Sequence, residues 1–181
     1  MLVSALAWLP RTGAEEVRIV RGPYLQLGSP TGMTVVWNTN APVDGVVEYG
    51  TPPSLGAFAF DPAPSAITHV VTLTGLEPGT IYHYRVRGNG RVLTDGYSFK
   101  TFPAAGSSVP FRLAAWGDSG SGDQNQLNVA TRLLAVIPHL AIHVGDAVYE
   151  SGEAENFDPR YFQPYASLVS RLNVYSAQFP T

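Results

Sequence analysis

Two Gly-Asp pairs, each at the end of a short apolar run, constrain the fold of this chain more than any other feature. They are Gly117-Asp118 and Gly145-Asp146, and 28 positions separate the two aspartates. Between them, residues 124–136 carry apolar side chains at helical spacing, preceded by a capping-box pattern at Asp123 and Gln126. This interval predicts a right-handed strand–helix–strand crossover, with both aspartates at the same end of neighbouring parallel strands.

The strands of that unit are predicted at 111–116 and 140–144. The first run is almost wholly apolar, which is typical of a strand covered on both faces. A Pro, Gly and Ser-rich linker at 103–110 precedes it and predicts a domain boundary. We therefore predict an α/β segment over 111–181, of which two strands and one helix are recognisable.

Residues 17–102 show a different pattern, with period-2 alternation between turn residues. The runs lie at 17–20, 33–38, 44–50, 68–73, 81–86 and 96–100. They predict an all-β sandwich with Trp37 in its core and with a tyrosine corner at Tyr82. The stretch resembles a fibronectin type III module. His69 and His83 are predicted to be surface or half-buried residues of the sheet, and Tyr82 and Tyr84 are predicted to pack.

Composition excludes several classes of function. Charged residues make up 14% of the chain and the net charge is −3, so a nucleic-acid partner is not expected. The absence of cysteine removes disulfides, thiolate zinc sites and cysteine nucleophiles. Residues 1–16 begin with an apolar stretch that is either the remnant of a signal peptide or a disordered tail. That stretch is too short to span a membrane, which takes roughly 20 apolar residues.

The residue types at the predicted sheet edge favour a metal site. Asp118 and Asp146 would offer hard carboxylate ligands, and the phenol of Tyr149 favours a strong Lewis acid such as ferric iron. Two alternatives stay open: a small calcium loop at 118–123, which lacks the glutamate that an EF-hand requires, and a Tyr149 that packs under the sheet. His139 and His143 are interpreted as structural.

The motifs Gly117-Asp118-Ser119-Gly120 and Gly145-Asp146-Ala147-Val148-Tyr149, behind a fibronectin-like module, resemble the purple acid phosphatases. These form a branch of the calcineurin-like metallophosphoesterases, and the Tyr of the second motif distinguishes the branch. The segments 157–165 and 172–175 resemble the stretch that leads to the family's third motif.

The resemblance implies a dinuclear centre. Asp118 and Tyr149 would bind Fe(III), and Asp146 would bridge it to a divalent Fe, Zn or Mn ion. It implies an acid phosphatase that hydrolyses phosphate monoesters with a metal-bound hydroxide. It also implies a secreted or periplasmic protein.

The later motifs of the family, Gly-Asn-His-Asp/Glu, Val-x-x-His and Gly-His-x-His, do not occur in these 181 residues. We therefore predict that 111–181 is a truncated catalytic domain, inactive alone and with at most partial metal occupancy, and we assign it no catalytic residue. The alternative is a non-catalytic fragment whose sandwich is an interaction module and whose metal site is weak. A phosphodiesterase of the same superfamily is disfavoured by Tyr149 and by the leading sandwich.

Overall fold

The computed structural model describes residues 15–176, and the first half of that range is a β-sandwich, as predicted. Its strands are β1 (Ile19–Gln26), β2 (Gly32–Val43), β3 (Gly45–Gly50), β4 (Ala57–Phe60), β5 (Ala66–Thr74), β6 (Ile81–Gly88), β7 (Arg91–Val92) and β8 (Tyr97–Lys100). One sheet has the order β1-β2-β5. In the other, β4-β3-β6 is extended by β7 and β8, which both pair with β6. The predicted leader or tail lies mostly outside the described residues.

The sandwich core is built from the inward-facing positions of both sheets. Trp37 is fully buried, and Tyr84 and Tyr82 pack against Phe99 at ring-centroid distances of 5.8 Å. The Tyr82 hydroxyl accepts a hydrogen bond from the Glu77 backbone N–H at 3.0 Å, which is the contact expected of a tyrosine corner. The core position of Trp37, the tyrosine corner and the packing of both tyrosines agree with the sequence predictions.

The predicted exposure of His69 is wrong, whereas His83 is exposed as predicted. On β5 the buried positions alternate, and His69 lies on the inward face. Its ring stacks on Trp37 with a centroid distance of 4.6 Å, and its nitrogens lie 2.8 Å from Asp61 Oδ2 and 3.2 Å from Thr39 Oγ1. A buried imidazole is tolerated here because both of its nitrogens are hydrogen-bonded.

The second half contains a small parallel sheet with helices beside it. Strands β9 (Leu113–Trp116), β10 (Leu140–His143) and β11 (Val174–Ser176) lie in the order β11-β10-β9, and α1 (Gln124–Val136) connects β9 to β10. A 3₁₀ turn (Ala154–Asn156), a π-helical turn (Asp158–Phe162) and α2 (Ala166–Val169) follow β10. The sequence predicted two of these three strands.

Helix α1 occupies the predicted residues. Asp123 Oδ1 accepts from the Gln126 backbone N–H at 3.1 Å, but the Gln126 side chain bonds Gly122 N rather than closing a full capping box. The prediction that the first strand is covered on both faces is wrong. Leu113 is 57% exposed, because nothing within residues 15–176 covers the outer face of β9. Ile137, just after α1, is 68% exposed.

The two halves pack on each other through specific contacts. The Arg21 guanidinium donates to both carboxylate oxygens of Asp158, at 2.7 and 2.9 Å, and lies 4.6 Å from the centre of the Phe162 ring. The buried Tyr84 hydroxyl donates to the Ser170 carbonyl at 2.6 Å. Burial raises the pKa of Tyr84 well above its ordinary value. Over residues 15–176, no helix has the length and apolar character that crossing a membrane requires.

Candidate metal centre

The two Gly-Asp pairs lie side by side at the carboxyl ends of β9 and β10. The Asp118 N–H donates to the Gly145 carbonyl and the Ser119 N–H to the Asp146 carbonyl, each at 3.2 Å. Both aspartates adopt the left-handed conformation, with φ of 54° for Asp118 and 53° for Asp146. Because this conformation costs a non-glycine residue about 1–2 kcal/mol, the strained pair marks the edge as a candidate site.

The three residues predicted as metal ligands converge at this edge. The Tyr149 hydroxyl lies 3.1 Å from Asp146 Oδ2 and also contacts Asp118 Oδ1. Both aspartates are exposed and Tyr149 is half-buried. The phenol therefore faces the carboxylates instead of packing under the sheet.

Gly120 allows the two loops to approach each other. A Cβ at this position would overlap the backbone of Ala147 and Val148. The Tyr149 N–H also donates to the Gly120 carbonyl at 3.1 Å. Gly120 is thus needed for the backbone of the first motif to pack closely against the backbone of the second motif.

A buried hydrogen-bonded chain lies behind the aspartates. Ser119 Oγ is 3.1 Å from His143 Nε2 and accepts from the Tyr165 hydroxyl at 2.8 Å. The Gly145 N–H points at His143 Nδ1 over 3.4 Å, so Nδ1 is the acceptor and Nε2 carries the proton. Burial lowers the pKa of His143 to about 4, against a smaller opposing effect of the Asp146 charge. His143 is therefore neutral near pH 7, and its ring nitrogens contact Ser119 and Gly145.

Sequence reasoning missed three residues that support the site: Ser119, Tyr165 and Arg160. Arg160 Nη1 contacts the Tyr149 carbonyl, and the Arg160 carbonyl accepts from Gln126 Nε2 at 2.5 Å. The π-helical turn therefore joins α1 to the loop that carries Tyr149. Ser119 lies in the first motif, and Arg160 and Tyr165 lie in the family-like segment 157–165, but nothing in the sequence indicated their contacts.

The donor set fits a hard cation. Within residues 15–176, no three His, Cys, Asp or Glu side chains converge, so the oxygens at this edge come from two carboxylates and one phenol. Such oxygens are the preferred ligands of hard, highly charged ions. His139 lies elsewhere, where its Nδ1 accepts from the Arg112 N–H at 3.0 Å.

Comparisons with known proteins agree with the predicted family. Residues 20–101 match the model of the purple acid phosphatase N-terminal domain. Purple acid phosphatase 15 of Arabidopsis thaliana is 32% identical over 120 residues, which is 65% of this chain and 20% of that protein. Purple acid phosphatase 23 of the same plant is 32% identical over 121 residues, which is 65% of this chain and 23% of that protein. The chain thus spans about a fifth of the length of these curated relatives.

A solved structure described as the structure of PhoD has a similar fold. It superposes with a TM-score of 0.61 at 16% identity, over 85% of this chain and 37% of the other. At this identity the match is evidence for the fold alone. The superposed part of this chain is longer than the sandwich alone.

Proposed function

We propose that this chain, which is similar to the purple acid phosphatases, takes part in metal-dependent hydrolysis of phosphate monoesters at acidic pH. The convergence of Asp118, Asp146 and Tyr149 carries this proposal. We assign residues 17–102 to the N-terminal domain, 103–110 to the linker and 111–181 to the metallophosphoesterase domain. A secreted or periplasmic location is part of the same proposal.

The side chains have distinct tasks in this proposal. Asp118 and Tyr149 would hold Fe(III), and Asp146 would bridge it to a divalent Fe, Zn or Mn ion. Bound metals supply Lewis acidity to the phosphoryl group. Ser119, His143 and Tyr165 hold the loops of both aspartates from behind, so that the carboxylates need little rearrangement when they bind a cation.

The first test measures iron binding through colour. Addition of Fe(III) to the purified chain should give a visible tyrosinate charge-transfer band, and Tyr149→Phe should remove it. Tyr175→Phe is the matched control, because Tyr175 is 41% exposed on β11 and is not among the assigned ligands. A band that survives in Tyr149→Phe would contradict the assigned ligand.

The assignment of the bridging ligand has its own test. Asp146→Asn should reduce metal content more than Asp118→Asn, because a bridging carboxylate contacts both ions. Metal content is measured by elemental analysis in a version of the protein that contains the later histidine motifs. Equal metal content in the parent and both variants would refute these roles. Hydrolysis of an aryl phosphate, with and without a chelator, then tests the activity itself.

A further inference from the structure

A second candidate site lies between the sandwich and the parallel-sheet half. It is a cavity of about 400 Å³, within the range of roughly 300–1,000 Å³ that is typical of small-molecule sites. One wall is apolar and combines Phe99 of β8 with Leu134 of α1 and with Leu168 and Leu172 around α2. The cavity is separate from the candidate metal centre, since none of Asp118, Asp146 and Tyr149 lines it.

The other walls carry an excess of positive charge. Lys100, Arg112 and Arg171 line the cavity, and no Asp or Glu does. None of the three forms an ion pair within residues 15–176, whereas Arg21, Arg85 and Arg87 all do. All three side chains are exposed, and Arg171 lies 6.0 Å from the centre of the Tyr97 ring. An anion in the cavity would be attracted by all three charges, although the net charge of the chain is −3.

His139 is a further hydrogen-bond donor among the lining residues. Because His139 Nδ1 accepts from the Arg112 N–H, its Nε2 carries the proton of the neutral ring. Asn173 also lines the cavity, but its Oδ1 accepts from Gly28 N at 3.0 Å and its Nδ2 is fully buried, so this amide is not counted as a donor to the ligand.

We infer that this cavity binds a small organic phosphate, with its phosphoryl oxygens towards Lys100, Arg112 and Arg171 and its carbon body against the apolar wall. A phosphate dianion has enough charge and oxygens to contact several cations, and guanidinium groups match its geometry in bidentate pairs. A carboxylate carries a single charge on two oxygens and fits three cations less well. The inference does not depend on the proposed hydrolysis.

Phenylphosphonate is a suitable probe, because it combines the head group with an aromatic body and cannot be hydrolysed as an ester. Calorimetry in the presence of a chelator keeps the metal centre from contributing. We expect saturable binding that Arg112→Gln and Arg171→Gln each weaken about tenfold or more. Arg132→Gln is the matched control, since Arg132 is exposed on α1 and does not line the cavity.

The side-chain NMR signals of His139 report on the same site. Phenylphosphonate should shift them, and should still do so in Asp118→Asn, which removes a metal ligand and leaves the cavity intact. Binding that is absent at millimolar probe, or unchanged in Arg112→Gln, overturns the inference. Equally tight binding of inorganic phosphate overturns the role of the apolar wall, and tighter binding of benzoate overturns the phosphate preference. Loss of the iron band in the parent chain would instead overturn the proposed metal centre.

Discussion

At the scale of single residues, the candidate metal centre is built on backbone conformations that are costly to hold. Asp118 and Asp146 keep left-handed backbone angles, and the neighbouring backbone N–H groups anchor both loops. Asp tolerates this region better than most residues, which is consistent with a carboxylate at both positions. The strained pair is held from behind by His143, whose ring bonds Ser119 of one loop and Gly145 of the other.

The buried His143 should make stability depend on pH. Its folded pKa of about 4 lies below the ordinary 6.5, so between these values the unfolded chain binds a proton that the folded chain does not. The free energy of unfolding should therefore fall as the pH drops through this window. Above the window, His143 should add no further pH dependence. Each unit of pKa difference corresponds to about 1.4 kcal/mol.

Urea unfolding across this window measures the effect. His143→Gln should flatten the pH dependence, whereas His83→Gln, at an exposed position of β6, should leave it unchanged. A parent and a His143→Gln variant with parallel pH profiles would show that another group is responsible.

At the scale of secondary-structure elements, local sequence patterns predicted most of the strands and helix α1. Tertiary contacts determine the features that the sequence patterns did not predict. The bounds of α1 followed from helical periodicity, and the meeting of Asp118 and Asp146 from the rule for parallel strand ends. The approach of Tyr149 was a hypothesis from its residue type and from the family resemblance. Strand β11 was not predicted, because three residues carry no usable alternation and their pairing with β10 is set by the fold. The burial of His69 depends likewise on Asp61 and Trp37.

The packing of the β9 loop on the β10 loop should depend on Gly120. Gly120→Ala should destabilise the protein by about 1–3 kcal/mol, because its methyl group would overlap the backbone of Ala147 and Val148. The same substitution should weaken iron binding, since the shift separates Asp118 from Tyr149.

Gly56→Ala is the matched control, because an added Cβ there has no atom within 4 Å. Thermal unfolding measures stability, and the charge-transfer band measures the site. A Gly120→Ala protein as stable as Gly56→Ala would show that the two loops can separate at little cost.

At the scale of the whole molecule, the two halves depend on one another unequally. The sandwich has a complete core of its own around Trp37 and Tyr84. The parallel sheet has three short strands with an open outer face, and Tyr24 of the sandwich packs against its buried cluster. A sheet this small gains much of its stability from what covers it. The sandwich therefore acts as a support for the edge that carries the candidate metal centre.

The ion pair of Arg21 with Asp158 should carry part of that support. Both side chains are about a third exposed, so solvent weakens the attraction between their charges. The bidentate geometry and the contact of Arg21 with the Phe162 ring favour a coupling energy of about 1 kcal/mol. Arg21→Gln should therefore destabilise the parallel-sheet half more than the sandwich. The rate of amide exchange should rise in β9, β10 and β11 and stay constant in β2.

Arg18→Gln is the control, because the ion pair of Arg18 with Glu15 is exposed and lies within the sandwich half. A double-mutant cycle with Asp158→Asn isolates the coupling, and a value near zero, with uniform exchange, would mean that apolar packing alone joins the halves.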